Sequence, residues 1–388
     1  MEKNIFEILM TLTFSGMLIS CSDNDGYRTS EERGYKLSPE NGFRRMGFGW
    51  SISSNEDFLI ATTYDREAYL FKIVDGHWIE DHTVLNEGYT LQTDMSDKYI
   101  AVSYLSSLVK RTVKVLQNVK GSWKKDMILK HTGSVFEELR GTISISNKHL
   151  MVGFSAACPS IIDKSGILIY TKQEKLWKTT AKIESDSCKD YDLKPGVITD
   201  NFAFLSYANK DDLNYVSVLR FEDSTWEHKY DFGPYKTIDL LDANEQYLAI
   251  GSFEGDSNIM KPKVFIYELY NDSINLNPNI IKDFKENLDG LILYDDKLLV
   301  SEIDVPYFFD EEWGTSTVTL YKINGNEYLK IAQYIPDNND ILRFMGSGGW
   351  NTDGFGFSIG MNSEYIFIGS PKDDNHAHNQ GSVNVLRY

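Results

Sequence analysis

Three observations predict an all-β chain folded as a seven-bladed β-propeller of four-stranded antiparallel blades. A buried-strand phrase recurs seven times at blade-like spacing, a second alternating run follows each copy, and no sustained helical apolar period occurs beyond the first twenty residues. The phrases begin with Phe58-Leu59-Ile60-Ala61-Thr62 and end with Tyr365-Ile366-Phe367-Ile368-Gly369. Their Ser, Thr or Gly ends fall at 62, 103, 153, 206, 251, 301 and 369, in steps of 41, 50, 53, 45, 50 and 68 residues. The second runs, such as Ala68-Tyr69-Leu70-Phe71 and Ser382-Val383-Asn384-Val385, alternate at period two, so each strand has two different faces, as sheets stacked on sheets require. Radial repetition buries each blade against the next and leaves only short edges. With only nine prolines in 388 residues and no linker within the repeats, residues 34–388 read as one domain.

From the N-terminus, the apolar run Ile8 to Ile19 is too short to span a bilayer and reads as a signal peptide, residues 1–20. The residues that close it, Leu18-Ile19-Ser20-Cys21, resemble the lipobox of bacterial lipoproteins, although Lys3 is the only base ahead of it. The resemblance implies cleavage before Cys21 and its lipidation, with the membrane as a partner. Residues 21–33 read as a polar tether opening on Ser22-Asp23-Asn24-Asp25-Gly26. Acidic tethers of this kind resemble those that carry Gram-negative lipoproteins to the outer face of the outer membrane. A net charge of −18 disfavours nucleic acid and anionic surfaces as partners.

Gly34-Tyr35-Lys36-Leu37 is a strand without a blade of its own, ahead of the first inner strand at Met46 to Ser53. The seventh unit supplies three strands, near 355–360, 364–370 and 381–388, and lacks an outermost one. The N-terminal strand is therefore expected to complete the last blade and close the ring, which also covers an open edge. Outer strands open on Trp78, Trp123, Trp177 and Trp226, with Tyr328 taking the place in the sixth unit. Large flat residues at one phase of a repeat are expected to pack between neighbouring blades.

Phe355-Gly356 opening the last inner strand and Gly369-Ser370-Pro371 closing the next resemble the FG-GAP repeat of integrin α-subunit heads, with Ser370 where that motif has Ala. Phe48-Gly49-Trp50-Ser51-Ile52 repeats the first half in blade one. Gly356 and Gly369 are expected where backbones approach closely near the axis. Members of that family carry Ca²⁺ between their first and second strands, but Ser53-Ser54-Asn55-Glu56-Asp57, Asp242-Ala243-Asn244-Glu245 and the other turns here lack the ligand count and turn glycine of such a cage. No metal or cofactor is expected. Cys158 and Cys188 follow the second and fourth strands of blade three and emerge on one face. An oxidising envelope allows them to pair if their loops lean across the roughly 10 Å set by the intervening strand; free thiols are the alternative.

Function is expected where the ring departs from its period. Connections between second and third strands, and from fourth strands to the next blade, share one face, which carries the long insertions 154–165, 252–263, 302–316, 336–354 and 371–381. The candidate ligand-binding residues lie there: Tyr307, Phe308, Phe309, Asp310, Glu311, Glu312 and Trp313 in one loop, Phe344 and Trp350 in the next, and Asp373, Asp374, His376 and His378 in the last. Aromatic rings flanked by carboxylates suit sugars or a protein hot spot. They also suit a purely structural role, packing the loops over the channel. The reading is of a non-enzymatic, lipid-anchored envelope propeller that binds an extracellular glycan or protein. The alternative is a glycoside hydrolase using loop carboxylates, but sialidase-like boxes, quinoprotein repeats and His-Glu-x-x-His are all missing.

Overall fold

The structure is a computed structural model that describes residues 27–29, 34–40, 46–64, 67–85, 88–107, 110–130, 137–138, 143–156, 165–185, 196–209, 211–255, 261–270, 273–281, 284, 287–303, 316–325, 327–336, 354–373 and 380–388. Among them are seven antiparallel sheets and no helix, arranged as a β-propeller. Blade one is Ile52–Ser54, Phe58–Thr62, Ala68–Val74 and His77–Leu85, each strand hydrogen-bonded to the next in sequence. Five more blades repeat that order, with inner strands Tyr89–Met95, Ile143–Ile145, Gly196–Ile198, Leu240–Ala243 and Asn287–Tyr294. The seven inner strands touch in a closed cycle, the last, Ser358–Met361, lying against the first.

Period-two patterning explains the packing. In Phe58–Thr62, Leu59 and Ala61 face blade seven while Phe58 and Ile60 face blade two. Every strand so divided serves two neighbours, and the buried residues fall into seven apolar clusters, one for each interface between blades. The outer-strand tryptophans sit where expected. Trp123 packs edge-on against Phe58 of the preceding blade at 5.3 Å, Trp177 against Tyr99 at 5.0 Å, Trp226 against His149 at 4.8 Å, and Trp78 against Phe367 of blade seven at 5.1 Å. Tyr328 lies part-buried against the cluster between blades five and six.

The ring closes as predicted. Gly34–Leu37 pairs antiparallel with Ser382–Arg387, Gly34 opposite Leu386 and Leu37 opposite Val383, as the outermost strand of blade seven. Lys36 Nζ reaches Asp373 at 2.9 Å, and the Trp78 amide of blade one donates to the Tyr35 hydroxyl at 2.7 Å. Gly369 and Gly356 do mark close approaches. A Cβ on Gly369 would meet the Gly49 carbonyl oxygen, and Gly356 holds a φ of +84° against Ser301.

One departure concerns the segment read as tether. Tyr27–Thr29 forms a parallel strand on the outer edge of blade six, Tyr27 opposite Gln333 and Thr29 opposite Ile335. An outer strand presents unpaired N–H and C=O groups, and a nearby length of chain that satisfies some of them protects the edge.

Candidate functional site

The inner strands run the same way along the axis, as their cross-blade bonds show. Ser51 meets Thr93 at 3.1 Å, Ser53 meets Asp94 at 3.5 Å, and Asn55 Nδ2 donates to the Ser96 carbonyl at 3.1 Å, so the register advances in parallel. Each inner strand has one edge without a strand partner, whose N–H groups still need acceptors. The preceding blade supplies them from side chains. Asp94 accepts from the Ile145 amide at 2.7 Å, Gln92 from Ile143 at 3.1 Å, Ser144 from Ile198 at 3.2 Å and Asp242 from Leu293 at 2.6 Å.

At the short-turn end the polar residues complete a second set of bonds. Asn55, Ser146, Thr199, Asn244 and Asn362 each accept from the amides two and three residues on, which caps the turn into the second strand. Asn244 and Asn362 also donate to carbonyls of the next blade, at Asp295 (2.9 Å) and Asn55 (3.1 Å). Thus the turns searched for calcium ligands use those side chains on their own backbone, and the described residues contain no cluster of metal-ligating groups.

Between the two ends lies a cavity of about 740 Å³ walled by residues from all seven blades. Its charged lining is wholly acidic: Glu56, Asp94, Asp97, Asp239, Asp242 and Asp289, with no Lys, Arg or His among them. Burial pushes Asp94 up to about 6 and Asp242 up to about 7, against the backbone amides that favour their ionised forms, and Asp94 adds its own repulsion to Asp242. Asp289 opens onto the channel, yet the surrounding wall still raises it to about 6, by burial alone. It occupies the bulge between Leu288 and Gly290, which re-aims a side chain locally.

The long-loop mouth is aromatic as well as acidic. Trp50 and Phe357 lie 4.5 Å apart at the starts of inner strands one and seven, and Tyr64, 55% exposed, packs on Trp50 at 4.9 Å. The Ser358 hydroxyl donates to the Gly49 carbonyl at 2.7 Å and binds the two segments together. Asp239 and Asp289 open the inner strands of blades five and six at the same end.

Of the candidate ligand-binding residues, only Asp373 lies among those described. The residue is 5% exposed, and its carboxylate accepts from Lys36 and from the Ser382 hydroxyl at 2.5 Å, so it serves the ring closure. Tyr307, Phe308, Phe309, Asp310, Glu311, Glu312, Trp313, Phe344, Trp350, Asp374, His376, His378, Cys21, Cys158 and Cys188 lie outside the described residues. Trp50, Phe357, Asp239 and Asp289 were not foreseen. A signal for the first two was present: both Phe-Gly pairs, Phe48-Gly49 and Phe355-Gly356, are followed by an aromatic and a serine.

No protein-family model matches the chain, and no curated protein matches its sequence. Solved structures do match in shape. A chain of a mitotic checkpoint complex superposes with a TM-score of 0.53 at 9% identity, over 92% of this chain and 95% of that one. A protein described as a 6-phosphogluconolactonase of Bacteroides uniformis gives 0.51 at 11%, over 74% and 86%. A chain from a study of two prolyl endopeptidases gives 0.51 at 12%, over 87% of this chain and 46% of that one. At such identities the likeness establishes a shared fold. Function has to be argued from the site.

Proposed function

We propose that this chain is a non-catalytic binding protein of the bacterial cell envelope, anchored through a lipidated Cys21 and taking an extracellular glycan or protein at its long-loop face. The observation that carries the reading is the channel mouth, where the Trp50–Phe357 pair and the carboxylates of Asp239 and Asp289 line the same acidic cavity. Aromatic faces cover the apolar faces of sugar rings, and carboxylates accept their hydroxyls; the same pairing makes a protein hot spot. Surface display in the outer membrane of a Gram-negative organism follows from the lipobox-like Leu18 to Cys21 and the acidic residues after it. The acidic lining repels phosphate-rich ligands, which supports the exclusion of nucleic acid.

The test is a glycan array and a partner pull-down with the soluble domain, run beside two double variants. Trp50→Ala with Phe357→Ala probes the mouth, and Trp313→Ala with Trp350→Ala probes the insertions above it. Loss of captured ligands in either pair supports the long-loop site. Equal retention by both pairs would remove it. Anchoring is tested apart from ligand, since Cys21→Ser is expected to release the protein from membranes.

A further inference from the structure

Four consecutive blades bring two kinds of side chain to the channel mouth. Trp50, Asp239 and Phe357 each stand five residues ahead of a turn cap, Asn55, Asn244 and Asn362 in blades one, five and seven. Asp289 is the extra residue of the bulge in the inner strand of blade six. These inner strands touch in the order five, six, seven, one, so Asp239, Asp289, Phe357 and Trp50 follow one another around the opening of a single cavity. Half of that arc is acidic and half is aromatic.

What the described wall has left to offer a ligand is mainly acceptors. The Ser54 hydroxyl donates to the Met361 carbonyl at 3.1 Å, Ser358 to the Gly49 carbonyl at 2.7 Å and Asn55 Nδ2 to the Ser96 carbonyl at 3.1 Å, so these donors are spent inside the ring. The carboxylates at the mouth are not spent. Among the described residues Asp239 accepts from the Thr237 hydroxyl alone, at 2.6 Å, Asp289 accepts no hydrogen bond, and none of the six acidic residues of the lining has an ion-pair partner. A sugar hydroxyl both donates and accepts, whereas an ammonium or a guanidinium donates only, so the unused chemistry of the wall matches a cation better than a neutral sugar. The rings favour the same group. A cation is drawn to an aromatic face, and the alkyl stem that carries it packs along the ring.

We propose that the mouth takes a lysine or arginine side chain from an exposed loop of a partner protein, its charge on Asp239 and Asp289 and its stem against Trp50 and Phe357. The inference rests on the long-loop face being the binding face, as proposed above, and chooses a protein over a glycan as its occupant. The cavity of about 740 Å³ has the size of a small-ligand site, room enough for the tip of such a loop. Asp94 and Asp242 continue the acidic wall inward, so a cation entering the channel meets a field of one sign.

The experiment uses the full chain in detergent at physiological salt and short fluorescein-labelled peptides of glycine and serine around a central run of arginine, read by anisotropy. A matched peptide carries citrulline, which keeps the shape of arginine without its charge. The arginine peptide is expected to bind at least about tenfold more tightly than the citrulline peptide, and Asp239→Asn with Asp289→Asn, or Trp50→Ala with Phe357→Ala, to weaken it by about tenfold or more. Asp211→Asn with Asp212→Asn removes the same charge from an exposed turn of blade four and is expected to leave the affinity unchanged. Equal affinity for the two peptides overturns the inference, as does a loss in the Asp211 and Asp212 pair equal to that at the mouth. Failure of the arginine peptide to bind also overturns it. In that case a glycan held by the wild type and lost in the Trp50 and Phe357 pair would leave the mouth standing as a binding face, and capture that ignores both mouth pairs would remove the face as well.

Discussion

The two ends of the channel are built from the same seven inner strands, yet they handle their polar groups in opposite ways. At the short-turn end, the Asn362 side chain caps the amides of Glu364 and Tyr365 and donates to the Asn55 carbonyl, while Asn55 repeats the arrangement toward Ser96. At the long-loop end, Trp50, Phe357 and Asp289 line the opening, and the described residues offer the Asp289 carboxylate no hydrogen bond. Groups whose partners lie inside the ring hold the ring together. On the function proposed here, the groups at the mouth are the ones left to meet a ligand.

The largest effect that would break this contrast is at the short-turn end. Asn362 is 1% exposed, and Asn362→Ala removes two turn bonds and two bonds between blades, to the Asn55 and Glu56 carbonyls, leaving buried groups unpaired. A loss of about 3 kcal/mol in urea unfolding is expected. Asn362→Asp keeps both accepted bonds and loses the two donated ones, so it should fall between wild type and Asn362→Ala. If the alanine variant unfolds at the wild-type midpoint, the ring of caps is decorative and the distinction between the ends collapses.

The fold was readable because each blade repeats the same physical problem. Leu59 with Ala61 and Phe58 with Ile60 must face different neighbours, and that need writes period-two alternation into the strand. The closing strand was readable because Gly34–Leu37 is a strand without a blade of its own ahead of the first repeat. The site was less so. Trp50 and Phe357 come from opposite ends of the chain, and only ring closure brings them to 4.5 Å. Asp94 and Asp242 look like ordinary surface acids within alternating strands, since their partners are backbone amides of the next blade, 51 residues on. The parallel pairing of Tyr27–Thr29 left no mark either, because so short a segment carries no period.

A second test concerns the middle of the channel. Asp242, raised to about 7, binds a proton in the folded state that the unfolded chain has already released above about pH 4, and Asp94 and Asp289, each at about 6, do the same over a narrower range. Their contribution to stability is therefore full below the unfolded carboxylate pKa and is lost as pH rises toward 7. His149 works the other way. Buried against Phe221 and Trp226 it is lowered to about 4, so its contribution is lost as pH falls from about 6.5 to 4. Three carboxylates against one imidazole predict a higher urea midpoint at pH 4.5 than at 7.5. Asp242→Asn, which keeps an oxygen for the Leu293 amide, should shrink that gap by raising the midpoint at pH 7.5. An unchanged gap would mean that Asp242 titrates in the fold as it does in water.

The smallest effect on stability is expected at the mouth. Trp50 and Phe357 are half-buried and stack mainly on each other and on Tyr64, so removing one ring costs about 1 kcal/mol, well below the loss at Asn362. The sharper prediction is the dissociation between the two measurements. Trp50→Ala should unfold within about 1 kcal/mol of wild type while losing most of its captured ligand, and Asn362→Ala should keep ligand binding at urea concentrations where it remains folded. A mouth variant that unfolds as easily as the cap variant would show that the aromatic pair is needed to seal blades one and seven. The rings would then belong to the closure, beside Lys36 and Asp373, and the recognition surface would have to lie wholly in the insertions above them.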